Sequence, residues 1–208
     1  MSYGAIFAVR SYKEFIMNDF AKVFTKWVAG IAIVAFVLVL LIKGHMNHFN
    51  LENWVSDLGT AVSLVGILAF LFEKVAWRCF SCMIGVPFIG GKWHGTLEYE
   101  DQTTHEWKSK DVSLKVSQTL LSTHFLLNTD ESQSESISCA YNPQKLNLTK
   151  EFVYTYRNIP DIQHRDESPI HLGTCILALH EDGSLSGEYW TARHTRGKMT
   201  LTRHKDGK

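Results

Sequence analysis

The pattern of hydrophobic and polar residues changes character near Gly91. Before it, two uncharged apolar runs, Trp27–Ile42 and Leu58–Phe72, are separated by one short connection. After it, apolar and polar residues alternate, as they do from Val112 to Ser117. Long apolar runs are typical of membrane-spanning helices, whereas a period of two is typical of strands with one buried face. The pattern predicts a helical hairpin followed by an all-β domain.

The two apolar runs predict transmembrane helices. Lys26 and Lys43 can extend the first run to near the ~20 residues that a bilayer requires, because their stems are apolar. A cleaved signal peptide is disfavoured, because the run lies far from Met1 and no small-residue cleavage pattern follows it. The second run alone could be a buried core helix, but two runs joined by a short connection favour a hairpin. Residues 1–26 then form a cytoplasmic segment, either an interfacial helix or the start of the first span.

Basic residues predict the orientation of this hairpin. They cluster before the first span and after the second, at Arg10, Lys13, Lys22, Lys26, Lys74 and Arg78. The connection contains one lysine, and the positive-inside rule therefore places both termini in the cytoplasm. Four cysteines are too few and too irregularly spaced for a disulfide framework, which agrees with that compartment.

Eight strand-like segments follow the hairpin. Asp182 and Gly183 indicate a tight hairpin between the sixth and seventh, and mostly short connections favour an up-and-down antiparallel barrel, lipocalin-like in shape, with room for packed side chains or one small ligand. The predicted strands are Lys92–Glu100, Trp107–Gln118, Leu120–Asn128, Ser134–Asn142, Leu148–Asn158, His171–His180, Ser184–Arg193 and Thr195–His204. The expected domains are the N-terminal segment 1–26, the hairpin 27–78, a linker 79–91 and the barrel 92–208.

Composition and motifs argue against several functions. The formal net charge is zero, which gives no basic signature for nucleic acid duplexes. No nucleophile elbow, zinc-binding helix, P-loop or dinucleotide fingerprint occurs, so we expect no enzyme and no catalytic residue. The histidine pair His45 and His48 lacks a third ligand, and Cys79 and Cys82 lack a second cysteine pair, so we expect no metal and no cofactor. A membrane-bound hydrolase using scattered histidines is the alternative.

The fifth and seventh strands have unusual faces for a closed apolar core. Tyr156 and Asn158 share one face of the fifth, and Tyr189, Thr191 and Arg193 share one face of the seventh. Tyrosine rings can stack on nucleobases, and an arginine fork suits phosphate. Either these faces contact water or they line a pocket for a polar ligand. We predict the pocket, with Arg193 as its phosphate-binding cation, because no other basic residue shares a strand face with so many aromatic and amide groups.

Several motifs, taken with the hairpin, resemble a known family. They are a Gly-Lys-Trp-x-Gly first strand, Tyr-x-Tyr-x-Asn-x-Pro at residues 154–160, His-x-Gly at 171–173 and Leu-x-Gly-x-Tyr-x-Thr-x-Arg at 185–193. This combination resembles the SMODS-associating two-transmembrane, β-strand-rich effectors, which are barrel-type membrane effectors of CBASS antiphage systems. The resemblance covers nearly the whole chain and is weakest before Lys26.

The resemblance implies a mechanism. A cognate nucleotidyltransferase (CD-NTase) makes a cyclic nucleotide, the cytoplasmic barrel binds it as an activating ligand, the chains oligomerise, and the helices damage the lipid bilayer of the bacterial inner membrane. Infected cells then die before phage matures. On this sequence, Tyr156, Asn158, Tyr189, Thr191 and Arg193 are the candidate ligand-binding residues. The alternative is a membrane-anchored, lipocalin-like carrier of a small apolar ligand, which requires a purely apolar barrel interior.

Overall fold

The computed structural model describes residues 24–42, 51–101, 104–143, 150–166 and 168–204, without the side chains of 51–54 and 143. Most of the expected segment 1–26, and the pair His45 and His48, lie outside these residues. The chain divides into two compact units. One unit contains the helices together with Thr119–Leu121, and the other begins at Gly85 and contains the strands.

The first unit contains two long apolar helices. Helix α1 is Phe24–Ile42 and helix α2 is Leu51–Lys74. The candidate membrane spans are the whole of α1, 19 residues with a mean hydropathy of 2.4, and Val55–Lys74 of α2, 20 residues with a mean hydropathy of 1.9. Both are therefore long and apolar enough to cross a membrane by length and composition. A 3₁₀ turn at Ala76–Phe80 and a four-residue helix, α3 at Ser81–Ile84, follow α2.

The helices bury a narrow set of side chains and expose the rest. Trp27 of α1 stacks on Phe72 of α2 with ring centroids 5.4 Å apart, and small residues such as Ala35 and Ala61 are buried. By contrast, large apolar side chains remain mostly exposed, up to 82% at Ile42. Apolar surface of this extent is compatible with insertion into a membrane.

The second unit is a closed barrel of eight antiparallel strands, each paired with its neighbours in sequence, and β8 closes onto β1. The prediction of an eight-stranded antiparallel barrel is therefore confirmed. The strands are β1 Gly91–Glu100, β2 Trp107–Gln118, β3 Thr123–Asn128, β4 Ser132–Pro143, β5 Lys150–Pro160, β6 His171–Leu179, β7 Leu185–Thr191 and β8 Arg196–Arg203.

Several predicted strand boundaries differ from the structure by two or three residues, and two of these differences, at the start of β3 and the end of β7, have a clear physical reason. Strand β3 begins at Thr123, because Gln118 pairs with Thr123 and residues 119–122 form the turn between β2 and β3. Strand β7 ends at Thr191, because the chain turns through Ala192–His194, and His194 has the positive φ of 64° that such a turn requires. Arg193 therefore lies in the turn between β7 and β8, and not on a strand face.

The barrel has two different ends. Strands β1, β3, β5 and β7 all end at one end of the barrel, which we call the mouth. We call the opposite end the floor. The floor is filled by Gly85–Gly91, which the sequence analysis assigned to the linker. Ile89 of this segment is fully buried, and its backbone nitrogen donates to Gln118 Oε1 at 2.7 Å. The indole of Trp93 donates to the carbonyl oxygen of Ile89 at 2.9 Å, so Trp93 closes the floor.

Candidate ligand-binding site

A cavity of about 440 Å³ lies at the mouth of the barrel. Its size is within the range of small-molecule sites. All five residues predicted from the sequence line it, namely Tyr156, Asn158, Tyr189, Thr191 and Arg193. Below it, the interior is filled by side chains such as Phe152, Leu177 and Leu201, which are fully buried. Only the mouth half of the described interior therefore offers this space to a ligand.

Tyrosines form much of the cavity wall. Tyr154 and Tyr156 project from β5, Tyr189 from β7 and Tyr99 from β1, and all four line the cavity. Tyr154 stacks on Phe125 below it, with centroids 4.3 Å apart and planes 11° from parallel. Burial raises the pKa of Tyr156 and of Tyr189, so both phenols remain neutral at physiological pH. Neutral, flat rings can stack on bases, and their hydroxyls can donate hydrogen bonds.

Glycines on neighbouring strands keep two of these rings against the wall. Gly173 of β6 pairs directly with Tyr156 of β5 on one side and with Thr191 of β7 on the other. A Cβ at Gly173 would lie 2.4 Å from Cζ of Tyr156, and one at Gly197 would lie 2.6 Å from Cε1 of Tyr189. The rings of Tyr156 and Tyr189 thus occupy the space that side chains at Gly173 and Gly197 would fill. Because the rings lie there, they leave the cavity open.

Asn158 is the buried amide of the site. It is 8% exposed, and its Oδ1 accepts a hydrogen bond from Ser134 Oγ at 2.8 Å. Within the described part of the chain, its amide nitrogen has no protein partner. The amide group therefore keeps two donors for a ligand acceptor.

Thr191 organises the turn that carries Arg193. Its Oγ1 lies 2.5 Å from Thr195 Oγ1 and accepts a hydrogen bond from the backbone nitrogen of Arg193 at 3.2 Å. The Arg193 guanidinium donates through Nη1 to Ser168 Oγ at 2.5 Å. Arg193 consequently reaches the cavity from the turn at the mouth, and not from a strand as predicted.

Charged residues outside the predicted set also line this cavity. Lys110 of β2 and Glu131 of the turn between β3 and β4 both line it, as do Glu100 and Asp101. A signal for Lys110 was present, because extending the alternation of Val112 and Leu114 backwards by two residues places Lys110 on the inner face. No comparable signal existed for Glu131, since it lies in a turn.

Ion pairs neutralise part of this charge. Arg196 Nε lies 3.1 Å from Glu100 Oε2, and the hydrogen bond from Arg196 lowers the pKa of Glu100. Asp101 is paired with Lys108, and this hydrogen bond raises the pKa of Lys108. Lys110 Nζ lies 2.9 Å from Glu131 Oε2, and it lowers the pKa of Glu131. Glu100, Lys108 and Glu131 are therefore held in their charged forms at neutral pH.

The described residues contain no cluster of three or more histidine, cysteine, aspartate or glutamate side chains that could hold a metal ion. Cys175 and Cys139 are free, and burial raises the pKa of each thiol to about 12. Neither is thus a reactive thiolate at neutral pH. The tyrosine rings, the Asn158 amide and the Arg193 guanidinium of the cavity are groups suited to a polar, aromatic and anionic ligand.

Comparison with known proteins agrees with this geometry. Residues 84–203 match the family model described as Cap15, cyclic dinucleotide receptor domain. Because the match covers more than half of the chain, the chain belongs to this family. It is also 26% identical over 192 residues to CD-NTase-associated protein 15 of Staphylococcus schleiferi, a comparison that covers 91% of this chain and 100% of the relative.

Family membership confirms the resemblance drawn from the motifs. The barrel is a cyclic dinucleotide receptor domain of a CBASS effector and not an enzyme, which agrees with the expectation of a cyclic nucleotide ligand and no cofactor. The carrier alternative required a purely apolar interior. The charged and amide groups at the mouth, with Lys110 and Asn158 among them, do not meet that requirement.

Proposed function

We propose that this chain is a CBASS membrane effector that is activated when a cyclic dinucleotide enters the mouth of its barrel. The observation that carries the proposal is the cavity itself, which combines four tyrosine rings, a buried amide and an arginine in a barrel of the cyclic dinucleotide receptor family. The ligand is made by a cognate CD-NTase in response to phage infection.

In this proposal each candidate residue has its own role. Tyr156 and Tyr189 stack on the two bases, and each stacked base contributes ~1–3 kcal/mol. Asn158 donates hydrogen bonds to a base or ribose acceptor. Arg193 binds a phosphate, because a buried phosphate without a cation is costly. Thr191 positions the turn that carries Arg193.

The helices α1 and α2 are the output of the receptor. We propose that they form a two-pass hairpin in the bacterial inner membrane, with both termini in the cytoplasm. The exposed apolar surface of both helices supports this proposal, since lipid would cover it. Ligand binding leads to homo-oligomerisation and to disruption of the bilayer, which causes abortive infection. The functional division is then an N-terminal segment, 1–26, the hairpin, 27–78, a linker that ends at residue 84, and the barrel, which begins at Gly85 with its floor segment.

Dye release from liposomes tests this function. The full chain is reconstituted into liposomes loaded with a self-quenching dye, and a panel of cyclic dinucleotides is added one at a time. We expect at least one member to cause release, and we expect linear mononucleotides to cause none. A chain that binds a cyclic dinucleotide without releasing dye would contradict the membrane output, and a chain that binds none would contradict the receptor function.

A further inference from the structure

Lys110 lies inside the barrel mouth although it is charged. It is on β2 in the same alternation as the buried Val112 and Leu114, and it pairs in register with Leu97 of β1. Its Nζ lies 5.1 Å from the ring centroid of Tyr99 and 2.9 Å from Glu131 Oε2. The Lys110 side chain is 24% exposed, so its ammonium is held at the cavity wall.

Glu131 differs from the other carboxylates of the cavity in the position of its partner. Glu100 is paired with Arg196 and Asp101 with Lys108, and neither of these cations lines the cavity. Glu131 is paired with Lys110, which does line it. Among the ion pairs of the described residues at this mouth, the Lys110–Glu131 pair is therefore the one whose cation a ligand can reach.

Lys110 and Arg193 stand on different walls of the mouth. Lys110 is on β2 and Arg193 follows the end of β7, and around the closed barrel β1 and β8 lie between these two strands. A cyclic dinucleotide carries two phosphodiesters on opposite sides of its ring, so a site that holds both needs a cation on each side. We propose that Lys110 binds the second phosphate and that Glu131 is its counterion in the empty site, which the phosphate displaces. This inference rests on the proposed function.

The exchange of carboxylate for phosphate is inexpensive. The Glu131 side chain is 48% exposed and lies in a turn, so its carboxylate can move into water. Ion pairs of this exposure contribute little to stability. The Lys110 ammonium is a compact charge that can donate hydrogen bonds to oxygens in several directions, unlike the planar fork of arginine. It can therefore pass from carboxylate to phosphate without a change of backbone.

The alternative role of the pair is structural, as a tie between β2 and the turn before β4. The two roles predict opposite changes in ligand affinity for the Glu131→Gln variant. If the pair is a tie, Lys110→Gln and Glu131→Gln both weaken ligand binding. If Glu131 is a displaceable counterion, Lys110→Gln weakens binding and Glu131→Gln strengthens it, because the phosphate no longer competes with a carboxylate.

Calorimetric titration of the full chain in detergent micelles with the panel of cyclic dinucleotides distinguishes these outcomes. We expect Lys110→Gln to weaken binding by about 10- to 100-fold and Glu131→Gln to strengthen it by about two- to tenfold, as loss of one charged contact and relief of one competitor predict. Lys115→Gln is the matched control, because Lys115 is on the same strand with an exposed side chain. Melting curves of each variant confirm folding.

The outcomes separate the inference from the proposed function. If the wild type binds and Lys110→Gln binds equally well, the inference is wrong and the receptor function stands. Weakening by both Lys110→Gln and Glu131→Gln would also overturn the inference, in favour of the structural tie. If the wild type binds no member of the panel, the proposed function fails and the inference fails with it.

Discussion

Tyr156 lies in the space that a side chain at Gly173 would occupy. A Cβ at Gly173 would meet Cζ and Oη of Tyr156 at 2.4 Å and the carbonyl oxygen of Trp190 at 2.9 Å. The absence of a side chain at one residue therefore determines where the neighbouring aromatic ring lies. Because the ring lies along the wall, the cavity remains wide enough for a base to enter.

We predict that Gly173→Ala weakens ligand binding by at least about tenfold, because the added methyl group pushes the Tyr156 ring into the cavity. Overpacking of this kind also costs about 1–3 kcal/mol of stability, since the Trp190 carbonyl must move. Calorimetric titration and a thermal melt measure the two effects.

A double-mutant cycle supplies the control. Tyr156→Ala should weaken binding by itself, and adding Gly173→Ala to it should have little further effect, because the ring that the methyl group displaces is gone. Wild-type affinity in Gly173→Ala alone would show that the position of this ring does not govern entry.

Much of the barrel could be predicted because period-two alternation depends on one physical cause, the burial of one face. For this reason Tyr156 and Asn158 on β5, and Tyr189 and Thr191 on β7, line the same cavity. Arg193 reached the same cavity for a different reason, since it lies in a turn held by Thr191.

What could not be predicted depends on contacts distant in sequence. The alternation along β2 places Lys110 on the inner face, but its contacts with Glu131 and Tyr99 form only when the barrel closes. Similarly, the glycines and the proline of residues 85–91 are typical of a linker, yet Val86 and Ile89 are buried at the floor. Local composition describes the flexibility of such a segment and not the surface on which it packs.

Buried tyrosines predict the response of the barrel to high pH. Burial raises the pKa of Tyr141 to about 12 and raises those of Tyr154, Tyr156 and Tyr189 as well. In the unfolded chain these phenols ionise near pH ~10. Because the folded pKa is the higher one, this contribution to stability is fully present below about pH 10 and is lost as the pH rises through the folded values.

We therefore expect the free energy of unfolding of the barrel to fall above about pH 10. Absorbance at 295 nm follows tyrosinate formation, and circular dichroism follows unfolding. In guanidinium chloride all tyrosines should ionise near pH ~10. Ionisation of these four tyrosines near that pH with an unchanged circular dichroism spectrum would contradict their burial.

Basic flanks predict the topology in the cell. Lys22 and Lys26 precede the first span, and Lys74 and Arg78 follow the second. A reporter fused after Lys208 should therefore be active in the cytoplasm, and one inserted between the helices, in residues 43–50, should be active in the periplasm. A periplasmic signal after Lys208 would exclude a barrel that senses a cytoplasmic ligand.

The segment before β1 determines where a soluble barrel can begin. A chain of residues 85–208 keeps Ile89 and the hydrogen bonds that Gln118 makes with Ile89 and with the Pro87 carbonyl. A chain of residues 92–208 lacks them, which exposes the floor and leaves Gln118, 6% exposed, without these partners. Each buried group left unpaired costs about 1–3 kcal/mol.

We expect residues 85–208 to fold in solution, to bind the cyclic dinucleotide and to be non-toxic in cells. We expect residues 92–208 to melt at least about 10 °C lower, as a loss of several kcal/mol predicts for a domain of this size. Thermal melts of the two chains provide the comparison. Equal melting temperatures would show that the floor segment does not stabilise the barrel, and toxicity of the soluble barrel would show that the membrane is not the target.

Arg193 provides the most direct test of phosphate recognition. Its guanidinium lines the cavity and donates to Ser168, and its backbone is held by Thr191. We predict that Arg193→Ala weakens ligand binding by about 2–5 kcal/mol, as when one partner of a desolvated charged pair is removed. Folding should be retained, because Arg193 lies in a turn outside the packed interior. Arg193→Lys should restore binding only in part, since an ammonium cannot make the planar two-point contact.

Arg157→Ala is the matched control for Arg193→Ala. Arg157 lies on β5 between Tyr156 and Asn158, but its side chain is exposed on the outer face. The Arg157→Ala variant should therefore bind the ligand with the affinity of the wild type. Calorimetric titration of each variant, beside a circular-dichroism melt, separates binding from folding. Wild-type affinity in Arg193→Ala would remove this residue from the site. A large loss of melting temperature in the same variant would instead mean that the contact with Ser168 stabilises the mouth, and that weaker binding follows from its distortion.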